Sequence, residues 1–163
     1  MTTNIRPMTT EDKPAIMQIL EITPEFKPAE LAVAEEVLDS YLHDPRGSGY
    51  HVLVAEKDAS LQGYICYGPT PLTEGTWDMY WAAVAPKEQG RGIGCALWAA
   101  AEGKMREAGG RLVLIETSSK PEYEKTRRFH HARGYEEIGR IPDFYETGDD
   151  KLILQKRLNQ AGF

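Results

Sequence analysis

Between a stretch of alternating apolar residues and a long helical stripe lies Val84-Ala85-Pro86-Lys87-Glu88-Gln89-Gly90-Arg91-Gly92-Ile93-Gly94. No other segment constrains the fold of this chain as tightly. Glycines at positions 90, 92 and 94 remove the Cβ atoms that would hold a ligand away from the backbone. The first N–H groups of the helix that follows have no partner inside it, and they sit at the positive end of its dipole. A strand, a glycine turn and a helix start in that order make a cradle for a pyrophosphate group. Arg91 adds a charged fork that matches phosphate oxygens. A nucleoside-triphosphate loop would end in Gly-Lys-Ser/Thr, where Gly94-Cys95-Ala96 stands instead. The dinucleotide pattern Gly-x-Gly-x-x-Gly also fails, because Leu97 stands where its third glycine would be read from Gly92 and Gly94.

The rest of the chain supplies the elements around this loop. A short strand is predicted over Asn4 to Met8, then a helix carrying Ile16, Ile19 and Leu20, and a second helix from Pro28 with Leu31, Ala34, Val37, Leu38, Tyr41 and Leu42 on one side. Tyr50 to Glu56 and Leu61 to Tyr67 form a hairpin about the turn Lys57 to Ser60, and Thr76 to Val84 is the next strand. Gly92 to Ala108 is helical, and Ala108-Gly109-Gly110 stops it. Arg111 to Glu116 contains Leu112, Val113, Leu114 and Ile115 in succession, as a strand covered on both faces would. Pro121 to Arg133 is predicted as a helix ended by Gly134. Tyr135 to Ile141 and Lys151 to Leu158 are the last strands, with a loop over Pro142 to Asp150. The order β-α-α-β-β-β-α-β-α-β-β predicts a mixed α/β sheet with helices on both faces.

No repeat or linker divides the 163 residues, so residues 1–163 read as one domain, large enough to bury a core without staples. The net charge, 19 − 25 = −6, argues against nucleic acid or an anionic membrane as partner and suits a cationic substrate. Cys66 and Cys95 have no metal-knuckle or disulfide spacing and read as small buried hydrophobes of a reducing compartment. His43 and His51 have no partners at ligand spacing, so no metal is expected. No stretch approaches the roughly 18 apolar residues of a membrane span, and cytoplasmic is the expected location.

Gln89-Gly90-Arg91-Gly92-Ile93-Gly94 resembles the Gln/Arg-x-x-Gly-x-Gly/Ala signature of the GNAT superfamily of acetyl-CoA-dependent N-acetyltransferases. The strand ahead of it, the Pro86 stop, Ala96-Leu97 and the order of elements agree with that superfamily. So does Phe129-His130-His131-Ala132-Arg133-Gly134-Tyr135, which is similar to its Phe-Tyr-x-x-x-Gly-Phe ending. The resemblance implies a mostly antiparallel central sheet splayed after the fourth strand, with acetyl-CoA as co-substrate. It also implies that the backbone of Ala83 and Val84 pairs with the pantetheine arm. Gln89, Gly90, Arg91, Gly92, Ile93 and Gly94 would hold the pyrophosphate, with Cys95 and Ala96 one turn further in. Asp143-Phe144-Tyr145, Gly148 to Lys151 and Glu116-Thr117-Ser118 resemble a bacterial subgroup of the superfamily, which implies no particular acceptor.

Direct transfer to an amine needs a base for the amine and an acid or stabiliser for the leaving thiolate. Glu116, at the end of an apolar run, is the first candidate for the base, in a niche expected to raise its pKa; Asp78 is the second. His130 stands where the superfamily carries a tyrosine acid, and its imidazole is one candidate, a spectator on the helix face being the alternative. Tyr123 and Tyr145 are the other phenols. The aromatic and acidic residues of Ile141 to Lys151 read either as an acceptor pocket for an amine or as a tight turn at Thr147 to Asp150 with Tyr145 in the core. The acceptor is a small-molecule or peptide amine. The competing function is an acyl-CoA-binding sensor that has lost catalysis. Homodimers are common among proteins of this resemblance, and self-association is therefore one expectation.

Overall fold

The computed structural model describes residues 2–158. β1 (Asn4–Pro7), α1 (Lys13–Ile22) and α2 (Pro28–His43) come first, then β2 (His51–Lys57), β3 (Ser60–Pro69) and β4 (Thr76–Val84). After α3 (Ile93–Glu107) follow β5 (Leu112–Ser118), α4 (Glu124–Ala132), β6 (Glu136–Glu146) and β7 (Asp149–Arg157). The strands make one sheet in the order β1-β2-β3-β4-β5-β7-β6, antiparallel except for β4 and β5. Asp58 and Ala59, with φ of 53° and 63°, close the β2–β3 hairpin as a two-residue turn whose twist matches that of its strands. Among the described residues no helix is long and apolar enough to cross a membrane.

Each face of the sheet has its own core. α3 sets Leu97, Trp98, Ala101 and Met105 against Ile65, Met79, Val113, Ile115 and Leu154. On the other face, Ile16 and Leu20 of α1 and Leu38 and Tyr41 of α2 cover Val52, Val54, Tyr64 and Cys66. Leu97, Ile65, Ile16 and Leu20 have no exposed surface, and each such burial stabilises by about 1.5–3 kcal/mol. Arg6 fastens the first strand to the entry of α1, with Nη1 and Nη2 donating to Asp12 at 2.8 and 2.9 Å and Nε donating to Glu56 at 3.2 Å.

The sheet forks at its centre. β4 and β5 pair from Thr76↔Leu112 only as far as Met79↔Ile115. Beyond that point β4 stays with β3 through Gly63↔Val84, while β5 stays with β7 through Ser118↔Lys151. At the same level Cys66 faces Trp81 and Tyr67 faces Met79, so Tyr80 is an extra residue in β4, a bulge that bends the strand. The fork leaves strand backbone on both inner edges without a neighbouring strand, and such groups need a partner when covered.

Four expectations change. The helix over Pro121 to Arg133 begins as a 3-10 turn, Pro121–Tyr123, with α4 starting at Glu124. The loop over Pro142 to Asp150 is largely strand, for β6 runs to Glu146 and only Thr147 and Gly148 form the turn. Between Ile141↔Lys151 and Glu146↔Asp149, however, residues 142–145 bulge out against Asp150 alone. Side chains take over from the ladder there, since the Asp150 carboxylate accepts the Asp143 N–H and the Arg140 guanidinium, both at 2.8 Å. Tyr145 is consequently 47% exposed rather than core, and Cys95 is only half-buried.

Candidate active site

The glycine loop joins β4 to α3 at the mouth of the fork. Gly90 and Gly92 have φ of 81° and 83°, which glycine adopts at no steric cost, and a Cβ on either would point into open space. Gly92 is the N-cap of α3, and no side chain caps that helix. The first-turn amides of Ile93, Gly94 and Cys95 are therefore left for an external acceptor. A Cβ at Gly94 would lie 3.4 Å from the Phe129 ring, so this glycine also sits against α4. Gln89 also turns inward, donating from Nε2 to the Val84 carbonyl at 3.2 Å, so it braces the loop against the strand end. Arg91 is exposed and touches Glu88 at 3.4 Å, a contact weak enough to exchange for a phosphate. Ala83 is buried among the α1–α2 core residues, which leaves its backbone as its contribution to the fork. Ile93 is buried in the α3 core, while Cys95 and Ala96 are half-buried behind it.

Glu116 is the first β5 residue beyond the last β4 pair. It is exposed and ion-paired, 3.1 Å from Lys151 Nζ, rather than sheltered in an apolar niche. Tyr145 stands close enough for the charges of Glu116 and Asp149 to act on it. Burial first, and those charges second, push its phenol up to about 12. Tyr123 is raised by burial and then by Glu30 and Glu25, and its hydroxyl donates to the Glu25 carbonyl at 3.2 Å. That bond ties the start of α4 to the α1–α2 loop, whose Phe26 ring stacks on Trp81 of β4 at 5.9 Å. Ser118 donates to Asp149, Arg127 donates to the Ser118 and Lys120 carbonyls at 2.8 Å, and these bonds fix the far end of β5. Asp78 accepts the Thr70 hydroxyl at 2.7 Å and adds its charge to Tyr80.

The fold thus brings Glu116 and Tyr123 close enough to Tyr145 for their charges to act on it, and His130 is not among them. His130 is 5% exposed and packed against Trp98, Phe129 and Tyr135, with Nδ1 lacking a partner among the described residues. Burial, with His131 as a second cause, pushes its pKa down to about 4. Burial thus holds the imidazole neutral near pH 7 in the core, which favours the spectator alternative over the acid. Because the unfolded histidine titrates near 6.5, it binds the proton that the folded one refuses between pH 6.5 and 4. Stability is therefore full above pH 6.5 and declines as pH falls towards 4, by about 3 kcal/mol from this residue. His130→Phe should flatten that part of the stability–pH curve in urea titrations, and a curve with undiminished slope would refute the assignment.

Phe26 and Glu25 were not singled out by sequence pattern as site residues, and Lys151 stood only as the end of the Ile141 to Lys151 segment. Only the register Ser118↔Lys151 and the course of the α1–α2 loop bring them to the cleft.

Residues 14–135 match the acetyltransferase (GNAT) family. The chain belongs to the GNAT family of acetyltransferases. It is similar to a Desulfovibrio desulfuricans structure described as a GNAT-family acetyltransferase, with 40% identity, a TM-score of 0.94, and 97% of this chain and 100% of that one covered. A ribosomal-protein-alanine N-acetyltransferase from Brucella melitensis shares 26% identity at a TM-score of 0.73, over 94% of this chain and 99% of its own. A Salmonella typhimurium protein described as an acetyltransferase, solved with its cofactor acetyl-CoA, has the same fold at 21% identity and a TM-score of 0.73, covering 98% and 96%. No curated protein matches the chain.

Proposed function

We propose that this GNAT protein moves an acetyl group from acetyl-CoA directly to a primary amine, with residues 1–163 acting as one catalytic domain. The observation that carries the reading is the fork. An uncapped helix start with two left-handed glycines opens beside strand edges whose pairing stops at Met79↔Ile115. A diphosphate fits the first and an amide-bearing arm fits the second, and a pantetheine diphosphate carries both at once. Bound acetyl-CoA would supply the thioester carbon that accepts the amine.

This chain's own residues do the remaining work. Only about one alkylamine in a few thousand is unprotonated at pH 7, so a base is needed before attack. Glu116, open to solvent at the fork, takes that proton directly or through a water. Tyr145 is the phenol best suited to donate to the leaving sulfur. It lies close enough to Glu116 to feel its charge, and its hydroxyl has no hydrogen-bond partner among the described residues. Tyr123 has already committed its hydrogen to Glu25.

The acceptor is an amine on a small molecule or a peptide. Acetyl-CoA turnover followed as free thiol should rise above hydrolysis with at least one of spermidine, an aminoglycoside, a free amino acid or a peptide beginning with alanine. Tight CoA binding with no thiol release for any of them would leave a binding module in place of an enzyme.

A further inference from the structure

Lys151 is placed with unusual care for a lysine on the face of a sheet. Its side chain is only 13% exposed, although the carboxylate it meets belongs to a side chain 58% exposed. Nζ lies 3.1 Å from Glu116 Oε1 and 3.7 Å from the centre of the Phe144 ring. Phe144 reaches that position because residues 142–145 bulge out of β6 beside Lys151. A covered ammonium keeps its charge only against a counter-charge or an aromatic face, and here it has one of each. The contact also restrains Glu116, which would otherwise sample several rotamers at an exposed strand position.

We propose that Lys151 is a positioning residue for the reaction, holding one oxygen of Glu116 so that the other faces the acceptor amine in the fork. The inference rests on the reading of Glu116 as base. Lys151 touches neither substrate; it acts by fixing where the carboxylate stands, and Phe144 fixes where Lys151 stands. Tyr145 lies close enough to feel the charge of Glu116, while the lysine contact is to Oε1. Small displacements of a catalytic group reduce rates by as much as about a hundredfold, so the loss of this clamp should appear in kcat.

The test is a double-mutant cycle on thiol release, using the best amine of the panel above. Lys151→Met should lower kcat about tenfold or more, leave the KM for acetyl-CoA within about twofold, and be rescued in large part by Lys151→Arg. In a Glu116→Gln background the same Lys151→Met change should have no further effect. Independent losses that multiply in the double variant would overturn the proposal, as would wild-type kcat in Lys151→Met. Wild-type turnover in Glu116→Gln alone would remove the base assignment first, an outcome distinct from a failure confined to Lys151. If Lys151→Met does not fold, Phe144→Leu removes the ring while keeping both charges, and a smaller loss of kcat, also absent in the Glu116→Gln background, is expected; unchanged kcat there would overturn the proposal.

Discussion

Gly92→Glu should abolish CoA binding while leaving the protein folded. Two effects act at this residue, and their sizes differ. The backbone has φ of 83°, so any side chain costs about 1–2 kcal/mol, which a domain of ordinary stability, about 5–15 kcal/mol, tolerates. The new side chain meets no protein atom, since a Cβ at Gly92 has nothing within 4 Å. The added carboxylate instead enters the space in front of the α3 amides, where the diphosphate is expected. There it repels phosphate and competes for the same N–H donors. Isothermal titration with CoA should show a loss of at least a hundredfold in affinity, with the thermal midpoint lowered by only a few degrees. A folded variant with unchanged CoA affinity would refute the assignment of the loop. Gly92→Ala separates the two effects, because it carries the strain without the charge and should bind CoA much better than the glutamate.

Glu116→Gln should lower turnover by about 10²–10³-fold while CoA affinity stays within about twofold. Glutamine keeps the size and shape of glutamate, and Glu116 lies on β5 across the fork from the glycine loop, so donor binding has no reason to change. The variant loses proton acceptance and gains nothing that can replace it. The acceptor amine, almost wholly protonated at neutral pH, then depends on its small neutral fraction. Raising the pH supplies that fraction, so the defect should shrink at pH 9 relative to pH 7. A uniform defect across that range would show that the carboxylate binds the acceptor rather than deprotonating it. Unaltered kcat would move the base to Asp78, the second carboxylate read from the sequence, which lies on β4 and accepts the Thr70 hydroxyl.

The two halves of the site differ in how far the chain announces them. The donor side is local. Pro86, the glycines and the stripe Ile93, Leu97, Trp98, Ala101 and Met105 lie in one continuous stretch, and spacing alone specifies a turn with free amides ahead of a helix. Even there two contacts are not visible in a linear pattern, the bond from Gln89 back to Val84 and the approach of Gly94 to Phe129. The acceptor side is assembled from segments far apart in the chain. Tyr123 meets Glu25 across 98 positions, and Lys151 reaches Glu116 from another strand.

By itself, then, the sequence determined the order of strands and helices, the glycine turn at Gln89 to Gly94 and the family to which the chain belongs. Those follow from periodicity, from turn chemistry and from a motif, all of which act over a few neighbouring residues. Tertiary structure alone decided that β4 and β5 part at Met79↔Ile115, that His130 is a neutral core residue and Tyr145 a surface one, and that Glu116 is held by a lysine. Each of these depends on which side of a strand or helix meets another element. Burial and charge pairing are properties of that meeting, and the residues concerned carry no mark of it in the chain.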